Sequence, residues 1–259
     1  MSDELSISSF MRRKQLLDYV EQREQVSIAE ICERFAVSPA TARRDLEALS
    51  RDARIQRVHG GAIAIRNAPP EPPLAERSSK QADEKRRIGQ AASQMISDGD
   101  TIFLGSGTTI FQVAKALQNH HNLTVITNSL LVMDALRNAA GIQLVGLGGI
   151  LRPSEQSFIG HITELALSEL RVDTVIMGIH AIDVAEGLTN DYLPETQTDR
   201  AILKIGQRVI IVADHTKCGR VSTAFVAPLT AITTLVSDDK VPPQFVSEVT
   251  AQGVHVLTV

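Results

Sequence analysis

The sequence predicts an α/β protein in two parts: a small helical module closed by a hairpin, then a larger, mostly parallel sheet covered on both faces. Three observations carry this. Short amphipathic stretches at helical spacing fill the chain before residue 55. Pro69, Pro70, Pro72 and Pro73 then interrupt it, and because proline fixes φ and lacks a donor, extended backbone is expected there. Beyond them, continuous apolar runs alternate with amphipathic helical ones, the pattern of parallel strands buried on both sides. The expected units are residues 10–66, a linker at 67–80 and residues 81–259.

In the first unit, "RRKQLLDYVEQRE" puts Leu16, Leu17 and Val20 on one face, and "SIAEICERFAV" does the same with Ile28, Ile31, Cys32 and Phe35. "SPATARRDLEALS" follows with Ala42, Leu46 and Leu49. Ser27 with Glu30 three residues on reads as a capping box, and Ser38 with Pro39 at the first helical position opens the third helix. "RFAVSP" leaves room only for a tight helix-to-helix turn. "RIQRVHGGAIAI" then alternates about Ile55, Val58, Ile63 and Ile65 with Gly60-Gly61 between, as a hairpin does. Three helices and a hairpin in that order make a winged helix-turn-helix.

Charge agrees with that reading. The whole chain carries a formal net charge of −4, which excludes a protein basic all over. Yet between Ser38 and Arg66, Arg43, Arg44, Arg51, Arg54, Arg57 and Arg66 face only Asp45, Glu47 and Asp52, while the chain after Arg66 has 15 Lys and Arg against 20 Asp and Glu. A basic module on an acidic body suits a protein whose one end meets a polyanion. With Ala42, Leu46 and Leu49 turned inward, Pro39, Ala40, Thr41, Arg43 and Arg44 occupy the exposed first turns of the third helix. Those turns reach base edges in the major groove. Paired arginines donate to guanine O6/N7 or to phosphates, and Thr41 suits a phosphate or a thymine methyl. Ser38 at the helix start, with Arg57 and His59 on the hairpin, completes the expected DNA-contacting set.

In the second unit, "DTIFLG", "LTVIT", "IQLVGLGG", "DTVIMGI", "RVIIVAD", "ITTLVSD" and "GVHVLTV" read as strands. "KRRIGQAASQMI", "TTIFQVAKALQNH", "SLLVMDALRNA", "HITELALSEL" and "ETQTDRAILKIG" read as helices. Parallel sheets bind ligands at the carboxyl ends of their strands. There "FLGSGTT" offers close backbone approach with the hydroxyls of Ser106, Thr108 and Thr109 beside a helix start, which suits a phosphate. It is neither a dinucleotide fingerprint nor a P-loop. Polar loops "TNS", "GLGG", "GIHAID" and "ADHTKCGR" follow other strands, the last with Lys217 as a counter-charge and Asp214 to orient it or accept a sugar hydroxyl.

Composition excludes other classes. No run approaches the length of a membrane span. "MSDELSISSFMRRKQ" has acids where a signal peptide carries basic residues, so a cytoplasmic location is expected. Cys32 and Cys218 are too far apart in sequence to suggest a disulfide framework or a zinc site. No metal and no cofactor is expected.

The stretch "RRKQLLDYVEQREQVSIAEICERFAVSPATARRDLEALSRDARIQRVHGGA" resembles the amino-terminal domain of the DeoR/GlpR family of bacterial sugar-responsive repressors, and the resemblance runs through nearly the whole chain. It implies a sensor domain similar to sugar-phosphate isomerases and a phosphorylated sugar as effector. By motif it implies Gly105, Ser106, Gly107, Thr108 and Thr109 as a phosphate loop. Thr127, Asn128 and Ser129 match a second loop, and Gly148 and Gly149 a third. Glu195 matches a family carboxylate, and Asp214 and Lys217 match "D-x-x-K". Gly105, Cys218 and His180 depart from the family's usual residues at their positions. Because operator half-sites mirror protein symmetry, a dimer or tetramer on double-stranded operator DNA is expected. The competing reading is a sugar-phosphate isomerase with a helical appendage, for which Glu195, Asp183 or His180 would supply a base.

Overall fold

Leu16, Leu17 and Val20 form the buried seam of α1 (Ser2–Arg23) in the computed structural model. That model describes residues 2–23, 25–51, 55–58, 60–64, 72 and 74–259. The helix runs back to Ser2, whereas the expected unit opened at Phe10; the apolar stripe that guided the expectation begins only at Leu16. After β1 (Gln25–Ser27) come α2 (Ile28–Phe35), α3 (Pro39–Arg51), β2 (Ile55–Val58) and β3 (Gly61–Ala64). Ile31, Ala42, Leu46, Leu49 and Ile55 join α1's seam in one core. The capping box of Ser27 and Glu30 is present, and Ala36 at φ +50° turns the chain between α2 and α3.

The wing holds a strand that the sequence pattern does not announce. β1 pairs antiparallel with β3, giving the order β1-β3-β2. This explains Gly61 better than a turn does, because a Cβ there would lie 2.0 Å from the carbonyl oxygen of Val26. Gly60, at φ +86°, supplies the turn itself.

The chain divides into Met1–Arg66 and Asn67–Val259. The latter half of the expected linker is helical: α4 spans Leu74–Ser79, since the prolines stop at Pro73 and Leu74, Ala75, Glu76 and Arg77 are good helix formers. Pro69, Pro70 and Pro73 lie outside the described residues.

The seven apolar runs become the seven strands of one parallel sheet: β4 (Thr101–Leu104), β5 (Leu123–Thr127), β6 (Ile142–Gly146), β9 (Val172–Gly178), β12 (Gly206–Val212), β14 (Thr234–Ser237) and β15 (His255–Thr258). Their order is β15-β14-β12-β9-β4-β5-β6. Ile102, Leu104, Val125, Ile176 and Val236 pack on one face with residues of α5 (Ala82–Ser93), α6 (Thr108–Leu117) and α7 (Leu130–Leu136). Phe103, Val175, Ile211 and Leu235 pack on the other with α8 (His161–Ser168), α9 (Thr196–Ile205) and α10 (Pro243–Ala251). The winding reverses between β4 and β9, and at such a reversal a crevice opens beyond the strands' carboxyl ends.

Short antiparallel pieces decorate that end of the chain's path. β7 (Ile150–Arg152) and β8 (Ser157–Ile159) form a hairpin, and β10 (Ala181–Asp183), β11 (Gly187–Asn190) and β13 (Ala224–Ala227) form a second small sheet. "GIHAID", expected as a loop, is therefore strand over Ala181–Asp183. Cross-strand pairing with β11 decides it, and three residues show no periodicity of their own. The Asp183 carboxylate accepts the N–H groups of Ala185 and Glu186 at 2.9 and 3.1 Å, closing the turn that follows.

Candidate functional site

On α3 the inward and outward faces separate as helical spacing requires. Ala42, Leu46 and Leu49 are buried, while Ser38, Pro39, Ala40, Arg43 and Arg44 are exposed and Thr41 is half-buried. The Ser38 hydroxyl accepts the Thr41 N–H at 3.2 Å and lies 3.0 Å from the Thr41 hydroxyl. That cap stabilises the first turn of α3. Asp45, 2% exposed, is held by the Nε of Arg12 at 2.7 Å and the Nε of Arg13 at 2.9 Å. The acid next to Arg43 and Arg44 is thus neutralised from α1, and their own charge remains turned outward. Arg57 on β2 is exposed. His59 lies outside the described residues.

In the second unit the expected loops fall at the carboxyl ends of their strands. Gly105 extends the β4 ladder by donating to the carbonyl of Ile176 at 3.0 Å. Gly107 stands at φ +106° with open space where a side chain would go, directly ahead of α6. Thr108 is buried, and Ser106 and Thr109 are half-buried. Across the reversal point, a Cβ on Gly178 would lie 3.4 Å from the carbonyl oxygen of Ser106, so the loops after β4 and β9 abut.

The second loop is chiefly a scaffold. Thr127 accepts the Ser129 N–H at 3.0 Å, and Ser129 caps α7. Asn128 donates through Nδ2 to the carbonyl of Phe158 at 2.8 Å. Its buried Oδ1 has no hydrogen-bond partner among the described residues, which leaves an acceptor for a ligand hydroxyl. In the third loop, a Cβ on Gly149 would lie 2.1 Å from the hydroxyl of Thr163, and that hydroxyl donates to Gly148 at 2.8 Å. Gly149 thus admits α8, while a Cβ on Gly148 would meet open space. Asp214 is buried and accepts both the N–H and the hydroxyl of Thr216, so one of its oxygens closes its own turn. Lys217 is half-buried at the end of that turn, and His215 binds Asp238 through Nδ1 at 2.9 Å.

Glu195 sits in a buried charged cluster that sequence reasoning missed. Arg152 of β7 pairs with it, and the Ser157 hydroxyl of β8 lies 3.4 Å from its Oε1. The Arg152 guanidinium also stacks 4.3 Å over the ring of Tyr192. Arg77 of α4 pairs with Glu155 in the hairpin turn. Asn190 donates to Asp199 through Nδ2 and accepts the His180 N–H at 3.2 Å. Burial, and then the nearby charge of Glu195, push the Asp199 carboxyl well above the usual carboxylate range. Ser129 and Ser157 form a β-bridge, so the cluster joins the loop after β5. No sequence signal gathers these residues, because Arg77, the 152–157 hairpin and the 190–199 segment lie tens of positions apart. Burial also raises the Cys218 thiol to about 12, which makes it inert as a nucleophile.

Residues 12–68 match the DeoR-like helix-turn-helix domain, and residues 80–239 match the DeoR C terminal sensor domain. The chain belongs to the DeoR family. It is 35% identical over 238 residues to the glycerol-3-phosphate regulon repressor of Escherichia coli strain K12, covering 92% of this chain and 94% of that one. It is 30% identical to a putative aga operon transcriptional repressor of Escherichia coli O157:H7, covering 96% and 93%. Among solved structures, ribose 5 phosphate isomerase A from Neisseria gonorrhoeae is similar over 54% of this chain and 55% of its own, at a TM-score of 0.40 and 16% identity. Both of these relatives carry the names of transcriptional repressors. No helix among the described residues is long and apolar enough to cross a membrane.

Proposed function

We propose that this DeoR-family chain is a cytoplasmic transcriptional repressor of a carbohydrate operon, and that a phosphorylated sugar modulates its hold on operator DNA. It acts as a homo-oligomer, a dimer or tetramer, so that paired recognition helices meet paired half-sites. The observation that carries the reading is α3, whose first turns present Ser38, Pro39, Ala40, Thr41, Arg43 and Arg44 outward while Asp45 is neutralised from behind. Arg57 and His59 of the wing reach the flanking backbone or minor groove.

The effector is read at the carboxyl ends of β4, β5, β6 and β12. Gly105 to Thr109 cradle the phosphate, Asn128 accepts a hydroxyl from inside a loop held by Thr127 and Ser129, and Lys217 supplies a counter-charge beside Asp214. Gly148 and Gly149 shape the third loop, and Glu195 with Arg152 lines the polar end. The ligand acts only through a difference in affinity between two arrangements of the DNA-reading units.

Retardation of a fragment from upstream of its own gene in a gel-shift titration is the expected result. No retardation at moderate salt up to micromolar protein overturns the reading. A thermal-shift panel of phosphorylated sugars, glycerol 3-phosphate among them, then identifies the effector by a stabilisation that grows with the logarithm of concentration. Lys217→Ala keeps operator binding and loses the response, and an unchanged dose curve removes Lys217 from the site.

A further inference from the structure

We propose that the outer face of α8 and the β7–β8 hairpin is a dimer interface, on which a second copy of this chain packs the same face about a two-fold axis. The proposal locates the contact that the repressor reading requires, and it rests on that reading for the identity of the occupant. Thr163 and Leu167 bury one side of α8, while Ile162 and Leu165 stand 57% and 64% exposed on the other. On β7, Ile150 and Leu151 are 66% and 44% exposed. The Ile150 Cδ1 lies 3.3 Å from where a Cβ on Gly160 would sit, so the hairpin's apolar surface adjoins the start of α8. Tyr192 and Leu193 are exposed too, and the Arg152 guanidinium over the Tyr192 ring puts them beside the other end of β7.

The concentration is unusual. Of the seven large apolar side chains exposed among the described residues of Asn67–Val259, four lie on β7 and α8 and two, Tyr192 and Leu193, in the segment before α9, with Phe225 as the seventh. Successive residues of a strand point to opposite faces, so only one of Ile150 and Leu151 joins the others, and five side chains at roughly 100 Å² apiece make a patch of about 500 Å², within the range that the largest patch of a soluble monomer spans. A stable interface buries about 800 Å² per partner, of which the patch would be the apolar centre and a polar rim the remainder.

Self-association fits better than a foreign partner. A two-fold contact sets each residue against its own copy or a near neighbour, and an apolar face meets itself without opposing like charges. Helix-turn-helix readers that recognise two half-sites need a second recognition helix, and this chain has one. The inner side of the same elements holds the polar cluster: Arg152 and Ser157 bind Glu195, and Glu164 of α8 accepts the Thr198 hydroxyl at 3.0 Å. A ligand that displaces those groups moves the interface directly, which connects sensing to the spacing of the recognition helices.

The test is light scattering on the full chain and on the double variant Ile162→Asp/Leu165→Asp, with circular dichroism as the check on folding. The wild type is expected at twice the chain mass or more, and the folded variant at half the wild-type mass with operator affinity roughly 10²-fold lower or worse. A variant that keeps the wild-type mass overturns the interface, as does a wild type that is monomeric while bound to operator. Should the double variant fail to fold, Leu165→Cys replaces it. A short bismaleimide is expected to cross-link it to a covalent dimer that Phe225→Cys does not form, and equal cross-linking of the two overturns the proposal. A wild type that shifts no DNA at any mass breaks the repressor reading instead.

Discussion

The two units handle charge in opposite ways. On α3, Arg43 and Arg44 stand exposed while the one buried acid of the helix is neutralised by Arg12 and Arg13 from α1. At the sheet end of the second unit, Arg152 and Arg77 are half-buried, each against a buried carboxylate. A duplex brings its own counter-charges in a continuous row, so the surface that meets it keeps cations solvated and ready. A small anion must be drawn into a crevice, and buried charges there persist only when already paired and hydrogen-bonded. On the proposed reading, exposed charge serves binding, whereas buried charge serves folding first.

The sharpest way to break that contrast is Arg152→Ala. It deprives buried Glu195 of its guanidinium and should cost about 3–5 kcal/mol of stability in the second unit, read as a lowered urea midpoint. An unchanged midpoint would show that the pair is solvated in practice. Arg43→Ala and Arg44→Ala should each cost about 1–3 kcal/mol in operator binding with the melting temperature unmoved. A drop in melting temperature in either variant would place that arginine in the fold and erase the distinction between the units.

Asp199 sharpens the comparison through pH. Its folded-state pKa is raised by burial first and by Glu195 second. The contribution of its neutral form is therefore complete below the ordinary aspartate range and is lost as pH climbs through the raised value. Stability should fall across that window by at most about 1.4 kcal/mol per pH unit, and Asp199→Asn should flatten the decline in a series of urea midpoints against pH. A wild-type profile that rises instead would mean that the carboxylate is ionised and paired. The smallest effect expected is at Ser38→Ala, which loses the cap on Thr41 at about 1 kcal/mol. It should weaken operator binding together with the stability of the first unit, because here the recognising turn and the folded turn are the same residues.

How much of this was legible follows the same division. The inward triad Ala42, Leu46 and Leu49, the Ser27–Glu30 box and the Ser38–Pro39 helix start are local, and adjacent residues announce them. All seven parallel strands were legible as apolar runs, since burial on both faces removes any need for alternation. β1, β7, β8, β10, β11 and β13 were not, for three or four residues carry too little pattern and each exists only because another strand pairs with it. Gly61 and Gly149 looked like turn and loop glycines, yet both answer to close approaches, by the Val26 carbonyl and the Thr163 hydroxyl.

By itself, then, the amino-acid order determined the two-unit plan, the outward arginines and the strand-end loops. Each follows from periodicity, capping and charge within a few neighbouring positions. Only the tertiary structure decided that Arg152, Glu195, Asn190 and Asp199 form one polar cluster and that Ile150, Ile162 and Leu165 form one apolar face. Such groupings depend on which strands cross over and where they stop, and no local pattern carries the geometry of a crossover.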